Sequence, residues 1–386
     1  MLKVGIDALA VYTPRYALDL SLLAQVRHSD PDKILTGLGQ KRMAVPPPGE
    51  DIVTMAANAA KQVLQNIDTS AIEMLLFATE TGIDQSKAAG IYVHDLVNLP
   101  TRCRVVELKQ ACYAGTAAIQ LALPFLRENP TKKVLFIAAD IARYGLETNA
   151  ESSQGAGAVA AILTANPRLL AFDAEYAVSV ENIMDFWRPN YRNEALVEGQ
   201  SSSRKYLEML KTCWLEYHAL SERHFQDHAY YCYHIPVPRL VEKAHVRLFK
   251  SNAEEPLLMA QIQPTLAYAR QIGNSYTASL FISLASLLDN ASTDLARQRI
   301  GFYSYGSGCI AEYFSAVIQA GYRESLHTNY HKHLLDSRNL LEYADYEAFY
   351  SFTYPEDGSH LEIPIYQTGD FRLARYCGHQ RVYEPV

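Results

Sequence analysis

Apolar runs rich in Val, Ile, Leu and Phe, each too short for a helix, alternate along this chain with longer stretches of small residues. In the first half these runs are EMLLFATE, ending at Glu80, CRVVEL, KKVLFIAAD, ending at Asp140, and GAGAVAAILT. Between CRVVEL and KKVLFIAAD lies CYAGTAAIQLALPFL, whose small side chains suit a tightly packed helix. Apolar strands separated by helices are the pattern of a sheet covered on both faces, so the alternation predicts an α/β fold.

The second half repeats the scheme with YYCYHIP, a helical YTASLFISLASLLDN and the strand-like RIGFYSYGSG. CYAGTAAIQLALPFL followed by KKVLFIAAD resembles NSYTASLFISLASLL followed by RIGFYSYGSG in helix start, helix length and following strand. Two similar halves, joined near the polar NPRLLAFDAEY, would produce this, and so would two unrelated βαβ units. The middle, from DFWRPNY to EYHALSERHF, begins irregular and becomes helical. The Tyr-rich C-terminus, including NLLEYADYEAFYSFTYPEDG, is expected to fold back on the body.

Composition removes several function classes. A formal charge of -7 opposes a nucleic-acid surface, which needs clustered Lys and Arg. No apolar run reaches the roughly 18 residues of a membrane span, and MLKVGIDALAVYTP lacks the features of a signal peptide, so a cytoplasmic protein is expected. The six cysteines form no CxxC pair, which indicates neither a zinc site nor a disulfide framework.

Cys112 sits where strand-like VVEL gives way to the small-residue stretch. If a helix begins near Ala114, the thiol lies at its N-terminus, where the dipole and free N–H groups favour a thiolate and an oxyanion. A lone cysteine is more simply a small core residue. Glu80 and His234 close other strand-like runs, and carboxyl ends of strands face the ligand crevice in open α/β sheets, so the three can converge. Individually, Glu80 reads as a solvated residue and His234 as a core histidine. Asn274 occupies the place in the second half that Cys112 holds in the first, either as an amide for a thioester carbonyl or as an N-cap. Gly306, Ser307 and Gly308 bring backbone N–H groups near an acyl group, or simply make a turn. Arg239 and Lys243 share a helix face that can receive a phosphate-bearing ligand or merely be solvated.

Taken together, GIDALAVYTPRY, DPDKILTGLGQKRMAV, FATETGID, ELKQACYAGTAAIQLA, ADIARYG, SSQGAGAVA, DFWRP, YHIPVPRLVEKA, GNSYTASL and FYSYGSG resemble the 3-hydroxy-3-methylglutaryl-coenzyme A synthase family, particularly its shorter bacterial mevalonate-pathway form. The motifs run in family order from residue 3 to about 320; the last ~60 residues resemble the family only loosely. The resemblance implies a thiolase-like αβαβα sandwich of two βαβαβαββ halves, here residues 1–167 and 168–386, and a homodimer. It implies Cys112 as nucleophile, Glu80 as general acid/base and His234 as the histidine assisting the second substrate. It places ligand contacts on Asp30, Ser153, Ser202, Arg239, Lys243, Asn274 and Ser307. At Ser153 the family more often has Thr, and Arg239 stands where relatives carry Lys.

The implied substrates are acetyl-coenzyme A and acetoacetyl-coenzyme A, with no metal or redox cofactor. A β-branching polyketide synthase, acting on substrates carried by acyl carrier protein, is the near alternative; TGID, KQACYAGT and GSGCIAEYFS look somewhat like that subgroup, while GLGQKRMAV, ARYG and DFWRP favour the coenzyme A enzyme. A ketoacyl synthase would give Glu80 no equivalent role. A non-catalytic acyl-binding protein would have no need of Cys112, Glu80 and His234 together.

Overall fold

The structure, a computed structural model, describes residues 2–386. The first half runs β1 (Val4–Tyr12), α1 (Ile52–Val63), β2 (Ile72–Ala78), α2 (Ala89–Leu96), β3 (Arg104–Leu108), α3 (Ala114–Glu128), β4 (Lys133–Ala142) and β5 (Gly155–Ala165). The second runs β6 (Leu170–Val180), α4 (Gly199–Ser221), β7 (Tyr230–Tyr233), α5 (Pro238–Phe249), α6 (Ser279–Asn290), β8 (Arg299–Gly306) and β9 (Ile310–Ile318).

These nine strands form one mixed sheet in the order β7-β8-β9-β6-β1-β5-β4-β2-β3. Read outward from the centre, each half places its first strand innermost, then its last, its next-to-last and its second. The hydrogen-bond directions repeat as well. β1–β5, β4–β5, β6–β9 and β8–β9 are antiparallel, whereas β2–β4 and β7–β8 are parallel. The halves meet where Gly5 and Ile6 of β1 pair with Ala171 and Leu170 of β6. The duplication left open by the sequence pattern is therefore present in the topology.

The layers follow from which faces are apolar. In α6 the ten residues from Ser279 to Leu288 are all buried, as a helix lying between two sheet layers requires. Its Phe281 meets Phe136 of β4 edge-on, with ring centroids 5.0 Å apart. α1 covers the outer face of the first half's strands. On the other side, Tyr206 of α4 packs edge-on against Tyr303 of β8 at 5.1 Å. With the two halves of the one sheet as its two strand layers, the chain stacks as an αβαβα sandwich.

Two features depart from the sequence expectation. The second half has no counterpart of β3; three short helices, Glu255–Ala260, Gln263–Leu266 and Ala269–Ile272, replace it. Pro256 and Pro264 stand in the first turn of two of them, where a helix leaves backbone N–H groups unpaired in any case. The polar stretch read as a joint is mostly β6. Its Asp173 and Glu175 are satisfied by ion pairs with Arg299 at 2.9 Å and Arg223 at 2.7 Å.

The C-terminus does fold back. Helix Tyr343–Ser351 lies against the first half, and the hairpin Phe371–Cys377/Gln380–Pro385 places the Tyr383 hydroxyl 2.6 Å from Asp51. Among the described residues no helix is long and apolar enough to cross a membrane, and no group of three His, Cys, Asp or Glu side chains is arranged to hold a metal.

Candidate active site

β3 ends at Leu108 and α3 begins at Ala114, so Cys112 lies in the turn leading into the helix, at the positive end of its dipole. Ala111 adopts φ +43°, which bends the chain just before the thiol. The end of β8 lies directly on this turn. A Cβ at Gly306 would sit 2.7 Å from the Gln110 carbonyl oxygen and the Tyr113 nitrogen, so only glycine permits the approach. Gly115 plays the same part toward the second half, since a Cβ there would be 2.8 Å from the Thr277 carbonyl oxygen. Ser307 is thereby brought beside the thiol's turn, and its carbonyl accepts from Gln110 Nε2 at 3.3 Å.

Glu80 follows β2 by two residues, and its Oε1 is 2.9 Å from Cys112 Sγ. What holds it there is Asp140, a fully buried residue at the end of the KKVLFIAAD run. Asp140 Oδ1 accepts from the Glu80 N–H at 2.9 Å, the Thr81 N–H at 3.0 Å and the Thr79 hydroxyl at 2.7 Å. Its Oδ2 accepts from the Thr277 N–H at 3.0 Å and from the Thr277 hydroxyl. One carboxylate therefore ties the base-bearing loop of the first half to the start of α6 in the second.

The pair is crowded by protein but each side chain keeps partial exposure. Burial, then the charge of Asp140, pushes the Glu80 carboxyl up to about 8, while the Cys112 contact and the Arg188 cation pull it back. Burial and the nearby Glu80 carboxylate push the Cys112 thiol well above its ordinary value. Both groups favour their protonated forms. Arg188 also donates to the Glu80 carbonyl oxygen.

His234 directly follows β7. Its Nδ1 is 2.6 Å from Ser279 Oγ, and that oxygen also accepts the Ile235 N–H at 3.0 Å. Where the serine donates its proton to Nδ1, the ring proton sits on Nε2. Burial lowers His234 to about 3, so the ring is neutral at physiological pH. Nε2 has no partner among the described residues and is not sealed from solvent. Ser279 is two residues past Thr277, so the histidine is anchored to the segment that Asp140 holds.

Of its two alternative readings, Asn274 shows the capping one. Its Oδ1 caps the following turn by accepting the Tyr276 N–H at 2.9 Å, and its Nδ2 donates to the Tyr144 hydroxyl at 3.2 Å. Tyr144 and Tyr276 stand close enough to Glu80 and Cys112 for those charges to raise their phenols further, after burial has done most of it. Ser153 ends the loop between β4 and β5 that carries Tyr144, with its hydroxyl on the Ala150 carbonyl at 2.7 Å.

The remaining expected contacts lie farther out. Asp30 is exposed and caps helix Pro31–Leu38 by accepting the Asp32 N–H at 3.0 Å. That helix ends at Gly39, against the start of α5. Arg239 of α5 is engaged with Glu242 at 2.7 Å, while Lys243 is exposed on the same helix. The Ser202 hydroxyl donates to Asp185 at 2.9 Å, and Asp185 also accepts the Gly308 N–H at 2.9 Å, linking Ser202 to the 306–308 turn.

Residue-level reading of the sequence did not single out Asp140, Tyr144, Tyr276, Asp185, Arg188 or Ser279. Their signal was present only as members of longer motifs.

Comparison with known proteins places this geometry. A family model described as hydroxymethylglutaryl-coenzyme A synthase N terminal matches residues 2–167, and one described as hydroxymethylglutaryl-coenzyme A synthase C terminal matches residues 250–351. The chain is 40% identical over 358 residues to the hydroxymethylglutaryl-CoA synthase of Enterococcus faecalis, covering 92% of this chain and 94% of that one. It is 35% identical over 376 residues to the polyketide biosynthesis 3-hydroxy-3-methylglutaryl-ACP synthase PksG of Bacillus subtilis, covering 91% and 88%. A crystal structure of an HMG-CoA synthase complexed with CoA superposes with a TM-score of 0.96 at 38% identity over the whole of both chains.

Proposed function

The chain belongs to the hydroxymethylglutaryl-coenzyme A synthase family, and from that premise we propose that it condenses acetyl-coenzyme A with acetoacetyl-coenzyme A and water to give 3-hydroxy-3-methylglutaryl-coenzyme A, with Cys112, Glu80 and His234 carrying the steps. The observation that carries the residue roles is the 2.9 Å contact between Cys112 Sγ and Glu80 Oε1 at the start of a helix.

Cys112 attacks the acetyl thioester, and its thiol proton goes to the departing coenzyme A sulfur. The product is again a thioester, so the acetyl methyl stays acidic. Glu80, as its carboxylate, removes a methyl proton, and the enolate attacks the C3 carbonyl of acetoacetyl-coenzyme A. The neutral His234 Nε2–H polarises that carbonyl and holds the developing alkoxide, which takes up the proton Glu80 has collected. Water activated by Glu80 then releases the product from Cys112. Free backbone N–H groups at the Cys112 turn and at Ser307 would hold thioester oxygens as they gain charge. Asn274 and Ser153 contact the second acyl chain, and Asp30, Ser202, Arg239, Lys243 and Ser307 line the approach of the carrier. None of these steps calls for a metal or redox cofactor.

A second reading, with carrier-protein substrates, is favoured by the likeness to PksG and to a Curacin-pathway HMG synthase solved with holo donor-ACP at TM-score 0.92. Coenzyme A remains the first reading, on the 40% against 35% identity. A thiol-release assay with product mass, run on both carriers, decides between them: faster turnover on the carrier-protein thioester would reverse the assignment. Cys112→Ala should form no acetyl-enzyme, while Glu80→Ala should acetylate but not condense. An acetyl mass shift on the first variant, or normal condensation by the second, would remove that residue from its role.

The reading includes a cytoplasmic homodimer supplying an isoprenoid precursor. β3 ends the sheet with its outer edge unpaired, and Val106 and Leu121 beside it are 48% and 63% exposed, an edge that a second copy would cover. Light scattering giving a single-chain mass at micromolar concentration would overturn that part.

A further inference from the structure

The loop between β4 and β5 carries both Tyr144 and Ser153, and its shape is set from outside by the C-terminal helix Tyr343–Ser351. β4 ends at Ala142, so no strand holds the Tyr144 N–H. That N–H donates instead to Gln154 Oε1 at 2.8 Å. Gln154 Nε2 in turn donates to the Tyr346 hydroxyl at 3.0 Å, and the hydroxyl donates its own proton to Glu151 Oε1 at 3.1 Å.

Gln154, Tyr346 and Glu151 are buried and satisfied. Tyr346 is 1% exposed and Glu151 2%. Arg27 closes on Glu151 with two parallel bonds, Nε to Oε2 at 2.8 Å and Nη2 to Oε1 at 2.9 Å, and reaches the Tyr343 hydroxyl at 2.6 Å. Glu151 Oε2 also accepts the Glu147 N–H at 2.9 Å. The Arg143 guanidinium lies 4.1 Å from the centre of the Tyr350 ring. A helix that only covered the surface would need no hydroxyl at position 346, where phenylalanine fills the same volume.

We propose that Tyr346 is a positioning residue for the condensation step: by orienting the Gln154 amide it fixes Tyr144, and with it Asn274 and Ser153, where the second acyl chain must lie. The inference rests on the functional reading above. Among the described residues Cys112, Glu80 and Asp140 make no hydrogen bond to Gln154, Tyr346 or Glu151, so the proposal expects acetylation to be kept when Tyr346 is altered.

The test is Tyr346→Phe in the full-length protein, with two steps measured separately. Labelled acetyl-coenzyme A reports acetylation of Cys112, and steady-state rates against acetoacetyl-coenzyme A report condensation. The expected result is a KM for acetoacetyl-coenzyme A raised about tenfold, as for a small displacement of a positioning group, with acetylation unchanged. A parallel fall in both steps would show a merely structural role and overturn the proposal, as would no change in either. If Tyr346→Phe does not fold, Gln154→Met breaks the same link from its other end and is judged by the same split. Failure of the functional reading shows separately, as a wild-type protein that forms no 3-hydroxy-3-methylglutaryl thioester.

Discussion

At the scale of single residues the site's central problem is a buried carboxyl that must be basic enough to remove a methyl proton and still ionise at working pH. Burial and Asp140 push Glu80 up to about 8, and Arg188 is the cation working against that rise. Arg188→Gln keeps a donor for the Glu80 carbonyl but removes the charge. The carboxyl should then climb further, leaving less carboxylate at any given pH. The condensation profile should move to higher pH, and the rate at pH 7 should drop about tenfold if the profile moves by one pH unit. A pH–rate profile coincident with wild type would show that Arg188 does not tune the base. Ser279→Ala tests the histidine in the same way. Without the serine proton on Nδ1, His234 is free to place its own proton there and leave Nε2 bare. Condensation should fall roughly tenfold or more while acetylation persists; an equal loss in both steps would contradict the tautomer assignment. Cys112, Glu80 and His234 were visible in the sequence because a thiol, a carboxylate and an imidazole at the ends of strand-like runs are chemically suggestive by themselves. Asp140, Arg188 and Ser279 were not. The donors on Asp140 come from residues 60 and 137 positions away, a convergence that no local pattern encodes.

At the scale of elements, the strands and helices of both halves follow from period and composition, yet the positions where they touch do not. The run RIGFYSYGSG reads equally well as a strand ending in an ordinary turn. Only the fold shows that Gly306 is pressed against the nucleophile's turn, with no room for a methyl group on Gln110 or Tyr113. Gly306→Ala should displace either the end of β8 or the Cys112 turn. A displacement near 1 Å costs on the order of 100-fold in rate. Far-ultraviolet circular dichroism should be preserved, because the strand itself is intact. Near-normal turnover would mean that the turn has more freedom than its packing indicates. The missing third strand of the second half was hidden for a related reason. Pro256 and Pro264 suit helix starts, but the likeness of α3 to α6, each with its following strand, points to a repeat that includes the third strand. The polar residues of β6 likewise obscured a strand whose charges are paired by Arg223 and Arg299 from other segments.

Over the whole molecule, buried titratable groups set two opposing limits on stability. Burial lowers His228 and His327 to about 4 and His234 and His245 to about 3, against 6.5 when unfolded. Between those values the unfolded chain binds more protons, so their contribution is complete above about pH 6.5 and is lost as the pH falls. Glu50 and Glu80 are raised to about 8 and Glu312 to about 7, against 4.5 when unfolded. Here the folded chain binds more protons, and stability declines as pH rises from about 4.5 through 8. The histidine gain ends near 6.5 while the carboxyl loss continues, so the thermal midpoint should peak near pH 6 to 6.5 and fall steadily toward pH 8.5. Activity should move the opposite way, because the deprotonation of Glu80 that weakens the fold is the one that arms the base. Glu50 separates the two effects. It lies outside the site, with Oε1 on the Tyr12 hydroxyl at 2.7 Å and Oε2 buried without a partner. Glu50→Gln removes its titration while the catalytic groups keep theirs, so the midpoint should decline less between pH 6.5 and 8.5 while the rate still rises. A midpoint that is flat over this range in the wild type, or unaltered in slope by the substitution, would show that these carboxyls are hydrated enough to ionise freely in the folded protein.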